Sequence, residues 1–213
     1  MKRLVIAFAL AMLAASAGAQ VTFAGGVDRP ALAAVNPNGP AGTLVNVGGR
    51  ESALISTTTG LLTATFLGFE ALDTDTFTFT LGSGTLTNKT AVPDVSSIFG
   101  NVGAGDLNFT FADIFTGTTV GNGGIGVGVS GMFTSYMVFG TGVGAAFTPY
   151  TKGGLYDLVL GFNDGLQVDG DYDDMIVGLK VVAIPEPESY ALLLAGLGAV
   201  GFIARRRQRQ LKS

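Results

Sequence analysis

Five carboxylates crowd into the eleven positions from Asp164 to Asp174, in the run Asn163-Asp164-Gly165-Leu166-Gln167-Val168-Asp169-Gly170-Asp171-Tyr172-Asp173-Asp174. No Lys or Arg lies between Lys152 and Lys180. Aspartates at alternate positions can turn several oxygens toward one point, and a hard cation such as Ca2+ takes roughly six to eight oxygen ligands. Asp164, Asp169, Asp171, Asp173 and Asp174 are therefore candidate calcium ligands. Ion binding would relieve their mutual repulsion and pin the loop between its flanking strands. The same run also reads as a solvated acidic hairpin that needs no ligand.

The spacing fits no standard calcium loop. Asp169, Asp171 and Asp173 match the first three ligand positions of an EF-hand, but the sixth position is Asp174 rather than Gly and the twelfth is Lys180 rather than Glu. Other chemistry is thin. The chain has no histidine and no cysteine, so Ser-His-Asp triads, thiol nucleophiles and cysteine-based metal sites are excluded. Two acids suffice for a glycosidase, but Glu occurs before residue 185 only at Glu51 and Glu70. The expectation is that the protein is not an enzyme, with a secreted hydrolase the least favoured alternative. Glycines alternate with Ile125, Val127 and Val129 from Gly124 to Gly131, but without a Lys this is no phosphate loop; it reads as a strand whose glycine face lets backbones approach.

The elements that must hold the acidic run are strands. Residues of one side alternate with residues of the other in Thr76-Phe77-Thr78-Phe79-Thr80-Leu81, which would send Phe77, Phe79 and Leu81 inward. Leu107, Phe109 and Phe111 repeat the pattern, as do Leu158, Leu160 and Phe162. Met175 to Ile184 is apolar on both faces except at Lys180, the mark of a central strand, and runs near Leu61 to Phe69 and Met132 to Phe139 add two more. Breakers separate them at Asn36 to Pro40, Gly82-Ser83-Gly84, Asn101 to Gly105, Gly121 to Gly124 and Gly153-Gly154. The fold class is all-β, an antiparallel β-sandwich of jelly-roll-like type, with residues 20–184 as the ectodomain.

Both ends carry signals of another kind. Lys2 and Arg3, the apolar run Leu4 to Leu13 and the small-residue box Ala17-Gly18-Ala19 have the order of a secretory signal peptide spanning residues 1–19. Cleavage after Ala19 would leave Gln20 first, with Ala15-Ser16-Ala17 a second box; the implied partners are the Sec machinery and signal peptidase. Ten apolar residues are too few for an N-terminal membrane span. At the other end stand Pro185-Glu186-Pro187-Glu188-Ser189, fifteen uncharged residues from Tyr190 to Ala204, and Arg205, Arg206, Arg207 and Arg209. As a helix the apolar run covers about 22 Å against roughly 30 Å of hydrocarbon core, a short transmembrane helix that holds only transiently. The arginines would stay in the cytoplasm.

Charge follows this division. The chain carries −4 overall, but residues 20–184 have five basic residues against fourteen Asp and Glu, a net of −9. Nucleic acid is excluded as a partner, because phosphate contacts need clustered Lys and Arg.

Pro185-Glu186-Pro187, the short apolar helix and the arginine cluster closely resemble the PEP-CTERM sorting signal of Gram-negative bacteria. The resemblance covers the last 29 residues, 185–213. It implies recognition by an exosortase, a membrane-embedded transpeptidase, with cleavage near the motif after transient anchoring in the inner membrane. Delivery would be to the cell surface or the extracellular polysaccharide matrix of a biofilm. The segment ending in Asp171-Tyr172-Asp173-Asp174 plus an apolar strand also resembles the close of many PEP-CTERM ectodomains, which suggests a structural feature. A structural or adhesive role is expected, with a calcium-assisted carbohydrate-binding module as the alternative; against the latter, the chain has no Trp, and Phe outnumbers Tyr fifteen to five.

Overall fold

A computed structural model describes residues 21–35, 44–57, 59–80, 82–123, 126–127, 133–165, 172–184 and 187–210. The leader at 1–19, Leu81, most of the Gly124 to Gly131 run, Asp169, Asp171, Pro185 and Glu186 lie outside the described residues.

Among the described residues, fifteen strands and one α-helix follow one another: β1 (Val21–Val35), β2 (Leu44–Ser56), β3 (Gly60–Gly68), β4 (Asp75–Phe79), β5 (Gly82–Ser83), β6 (Thr85–Thr87), β7 (Ser97–Val102), β8 (Gly105–Asp106), β9 (Phe109–Asp113), β10 (Thr119–Gly121), β11 (Gly126–Val127), β12 (Phe133–Thr141), β13 (Thr148–Pro149), β14 (Leu158–Asn163), β15 (Met175–Ala183) and α1 (Pro187–Gln210). An eleven-stranded sheet runs in the order β1-β2-β12-β14-β15-β3-β7-β5, with β11 and β13 paired to β12 and β8 to β2; a four-stranded sheet runs β10-β9-β4-β6. Neighbouring strands are antiparallel throughout.

The alternation read from the sequence is the alternation of the fold. β4 and β9 switch between buried and half-buried residue by residue, and their register sets Phe77 opposite Phe111 and Phe79 opposite Phe109. Across the sandwich Phe111 stacks on Phe162 of β14, ring centres 4.9 Å apart and planes 4° from parallel. One apolar core thus joins the two sheets through Phe77, Phe109, Phe111, Tyr136, Leu160, Phe162 and Val177, each at most 3% exposed. A fully buried Phe contributes about 2–3 kcal/mol, so this cluster carries much of the fold.

β15 is central, between β14 and β3, and buried over most of its length. Its exception, Lys180, reaches toward Asp157 at 3.5 Å, and Asp157 also accepts the backbone N–H of Val181. The outer face of this part of the sheet has a second apolar cluster of Met137, Phe139, Val159, Ile176 and Tyr172, flanked by Tyr150 and Tyr156. Glycine is what lets these rings lie flat on strands: a Cβ on Gly178 would come within 2.7 Å of the Tyr156 ring, and one on Gly161 would collide with Phe139 and the Tyr172 carbonyl.

Two expected breakers belong to strands. Gly82 and Ser83 pair with Gly100 and Phe99, and Asn101 and Val102 continue β7. Small or polar residues accept a strand edge when a neighbour supplies the hydrogen bonds. The longest strands, β1 and β2, were not legible as such, since register shifts between Ala24 and Val27 and between Arg29 and Leu32 break their alternation.

Residues 184–213 form a separate compact unit. Its helix α1 is longer than the expected Tyr190 to Ala204. Pro187 is tolerated at a first helical position, where its missing N–H would have had no partner, and the arginines near the other end complement the helix dipole. Among the described residues no helix is long and apolar enough to cross a membrane. The uncharged stretch is too short, and its continuation is arginine.

Candidate functional site

On β4 the inward positions are Asp75, Phe77 and Phe79; on β9 they are Phe109, Phe111 and Asp113. Antiparallel register then places Asp75 directly opposite Asp113, both with no exposed surface. On β14 the core-facing Leu158, Leu160 and Phe162 lead, two residues on, to Asp164, which is 2% exposed. Three strands from two sheets therefore each end an apolar inward row with an aspartate, at the end of the core beyond the stacked Phe111 and Phe162. The return strand begins beside them, with Asp173 and Asp174 also buried.

Each carboxylate is held differently. Asp113 accepts the backbone N–H groups of Phe115 (2.8 Å) and Thr116 (3.1 Å), shaping the turn that follows β9. Asp174 accepts the N–H of Asp164 at 2.7 Å, and the carbonyl of Asp173 accepts the N–H of Glu70 at 2.8 Å, which ties both ends of the β14–β15 loop into the fold. Asp75 is clasped by Asn88: the Asn88 Nδ2 donates to Asp75 Oδ2 at 3.0 Å and to the Asp73 carbonyl, while the Asp75 N–H donates to Asn88 Oδ1 at 3.1 Å. The other oxygen, Asp75 Oδ1, is buried and has no hydrogen-bond partner.

A buried carboxylate short of partners resists ionisation. Burial first, then the charges of Asp164 and Asp113, push the Asp75 carboxyl up to about 8, against a smaller opposing effect of Lys89. Lys89 itself donates to the carbonyls of Ala71 (2.9 Å) and Leu72 (2.7 Å) and lies 5.2 Å from the centre of the Phe69 ring.

Of the five residues singled out in the acidic run, the fold thus buries Asp164, Asp173 and Asp174, so the described part of the loop is not a solvated hairpin; Asp169 and Asp171 lie outside the described residues. Asp75, Asp113 and Asn88 were not anticipated. Asp75 and Asp113 continue the parity of Phe77 and Phe111, and that shared parity was the available signal. Among the described residues no three acidic side chains already stand close enough together to hold a metal ion.

The second site is α1. Its apolar side chains, among them Leu192, Leu193, Leu194, Leu197, Val200 and Phe202, are exposed and occupy consecutive as well as spaced positions, so they cover the helix all round. Such a helix has no single packing face and suits a lipid or membrane-protein environment. Arg205, Arg206 and Arg207 stand exposed in its C-terminal part, and Pro187 is its first residue.

An all-β body followed by an apolar helix with a basic end defines a class, a folded domain carrying a C-terminal handling segment. Residues 183–208 match the PEP-CTERM protein-sorting motif. That motif implies an exported protein sorted to the cell surface by an exosortase. Comparison with curated proteins and with solved structures returns no match.

Proposed function

We propose that this chain is a non-enzymatic structural or adhesive surface protein, exported by its leader and handed by its C-terminal segment to an exosortase-type transpeptidase. The carrying observation is the sorting motif at residues 183–208, on a helix apolar all round and ended by Arg205, Arg206 and Arg207. In this reading Pro185-Glu186-Pro187 marks the processing point. The helix engages the inner membrane transiently, with thinning or snorkelling making up for its short apolar length. The ectodomain then goes to the surface or into extracellular polysaccharide. A non-catalytic role is supported by the absence of His and Cys and by the burial of Asp75, Asp113 and Asp164 in the core.

Mass spectrometry of the surface and secreted fractions tests this. The mature form should begin at Gln20 and lack peptides from Tyr190 to Ser213. Intact tail peptides in the mature surface form would overturn it.

One observation favours a second reading, calcium-assisted carbohydrate binding. Phe99 is 48% exposed on β7, beside Thr63 in register and near Leu61, Asn101 and Val182 on the same outer face. An exposed ring flanked by polar groups is what a sugar face stacks on. A glycan-array signal lost both with EDTA and in Phe99→Ala would support it; silence on the array would remove it.

A further inference from the structure

We propose that a bare apolar patch on the outer face of the large sheet, formed by Leu61, Phe99 and Val182, is the docking surface for the transpeptidase that processes the C-terminal segment. The proposal rests on the sorting reading and adds to it, since the motif by itself assigns no part of the folded body to that enzyme.

Three observations carry it. The first is the composition of the face. β15, β3 and β7 lie side by side, with Val182 opposite Leu61, Leu61 opposite Asn101, and Thr63 opposite Phe99, so Leu61 touches the register rows of both other apolar residues. Strands inside a sheet with one open face ordinarily turn polar residues outward. Here Leu61 is 36%, Phe99 48% and Val182 54% exposed. Exposed apolar residues that are grouped rather than scattered mark a surface that meets a partner.

The second is where the cover of this face stops. Towards the start of β15, Ile176 is buried in the outer cluster with Val159, and the Tyr156 ring lies on Gly178. From Lys180 onward the outward positions of β15 are open, and that is the end from which the chain continues into the sorting motif.

The third is the length of that continuation. The motif match begins at Ala183, the last residue of β15, which is still paired with Gly60. Pro185 follows two residues later, and at no more than about 3.6 Å per residue the chain between them reaches roughly 7 Å. One helix of an enzyme, with its side chains, is already about 10–12 Å across. A transpeptidase that closes around Pro185-Glu186-Pro187 therefore meets the end of the sheet, where Val182 and Leu61 form the last outward-facing row. The bilayer is the weaker occupant, because an acidic body gains no attraction from anionic lipid.

The test follows the full-length chain in the cells that process it, as the rate at which peptides from Tyr190 to Ser213 are lost in a pulse-chase. Leu61→Thr combined with Val182→Thr keeps β-forming residues on both strands and should slow tail removal by about tenfold. Leu72→Thr, at an 88% exposed loop position, should leave the rate unchanged. A flexible Gly/Ser spacer of about ten residues after Ile184 should erase the difference between the double variant and the unmodified patch, since the enzyme then reaches the motif without touching the sheet. A chain slow through misfolding would stay slow with the spacer. Should the double variant fail to fold, Val182→Thr alone is read in its place. Phe99 is left intact, so the glycan reading is judged separately. An unchanged rate in the double variant, equal slowing by Leu72→Thr, a difference that survives the spacer, or patch-dependent binding to phosphatidylglycerol vesicles with processing unchanged would each overturn the proposal. Persistence of the tail on the unmodified chain would overturn the sorting reading, and the proposal with it.

Discussion

Strands β4 and β9 hold, on one continuous inward face, both closely packed aromatic rings and two buried acids that face each other. At one end Phe77 lies 4.8 Å from Phe111 and 5.5 Å from Phe109, centre to centre. At the other end Asp75 faces Asp113. Burial is complete in both places, yet its consequence is opposite. An apolar ring gains from leaving water whatever its exact neighbours, whereas a carboxylate gains only when each oxygen is met. Asp113 meets two N–H groups; Asp75 meets one amide and holds its proton instead.

Substitutions that invert this contrast should separate the two ends. The largest effect is expected at the aromatic end: Phe111→Ala removes the ring that stacks on Phe162 and should lower stability by about 3–5 kcal/mol in urea unfolding. At the acidic end the lever is pH, measured in chelator. Asp75 titrates near 3.8 when unfolded and near 8 when folded. Its contribution is fully present below about pH 4 and is lost as pH rises toward 8, so the native state should weaken across that window by on the order of a few kcal/mol. Asp75→Asn should flatten that slope and be the more stable form at pH 8. An unchanged slope would show that Asp75 is not the group responsible.

A buried polar group that does have its partners gives the intermediate case. Tyr136 packs edge-on to Phe109 at 5.1 Å, while its hydroxyl donates to the Ser52 carbonyl at 2.6 Å and accepts the Gly123 N–H at 2.9 Å. Tyr136→Phe keeps the ring and strands both partners, which should cost about 1–2 kcal/mol by the same unfolding measurement. Smallest of all, Lys180→Gln removes a charge pair whose Lys side chain is 41% exposed, and thermal melting should move by less than about 1 °C.

Much of this contrast was legible residue by residue. Period-two alternation found Phe77, Phe79, Phe109, Phe111, Leu158, Leu160 and Phe162, because a strand with one buried face writes its orientation into every second residue. The two-sided run from Met175 found the central strand for a different reason, since a strand covered on both faces is apolar at nearly every position. Alternation failed for β1 and β2, where register shifts reset it, and for Gly82-Ser83, where pairing with β7 decides the structure. The acidic run drew notice because its carboxylates are close in the sequence. Asp75 and Asp113 did not, although each sits two residues from a core phenylalanine on its own strand.

The sequence by itself determined that the chain is β-rich, that its body is acidic, and that its C-terminal residues carry a sorting motif, since composition, alternation and a short contiguous motif are local properties. Only the tertiary structure decided which acids share an environment. Register set Asp75 against Asp113 across 38 positions of chain, and sheet-on-sheet packing brought Asp164 into their field. Strand partners are chosen by long-range pairing and core closure, and no local pattern records them.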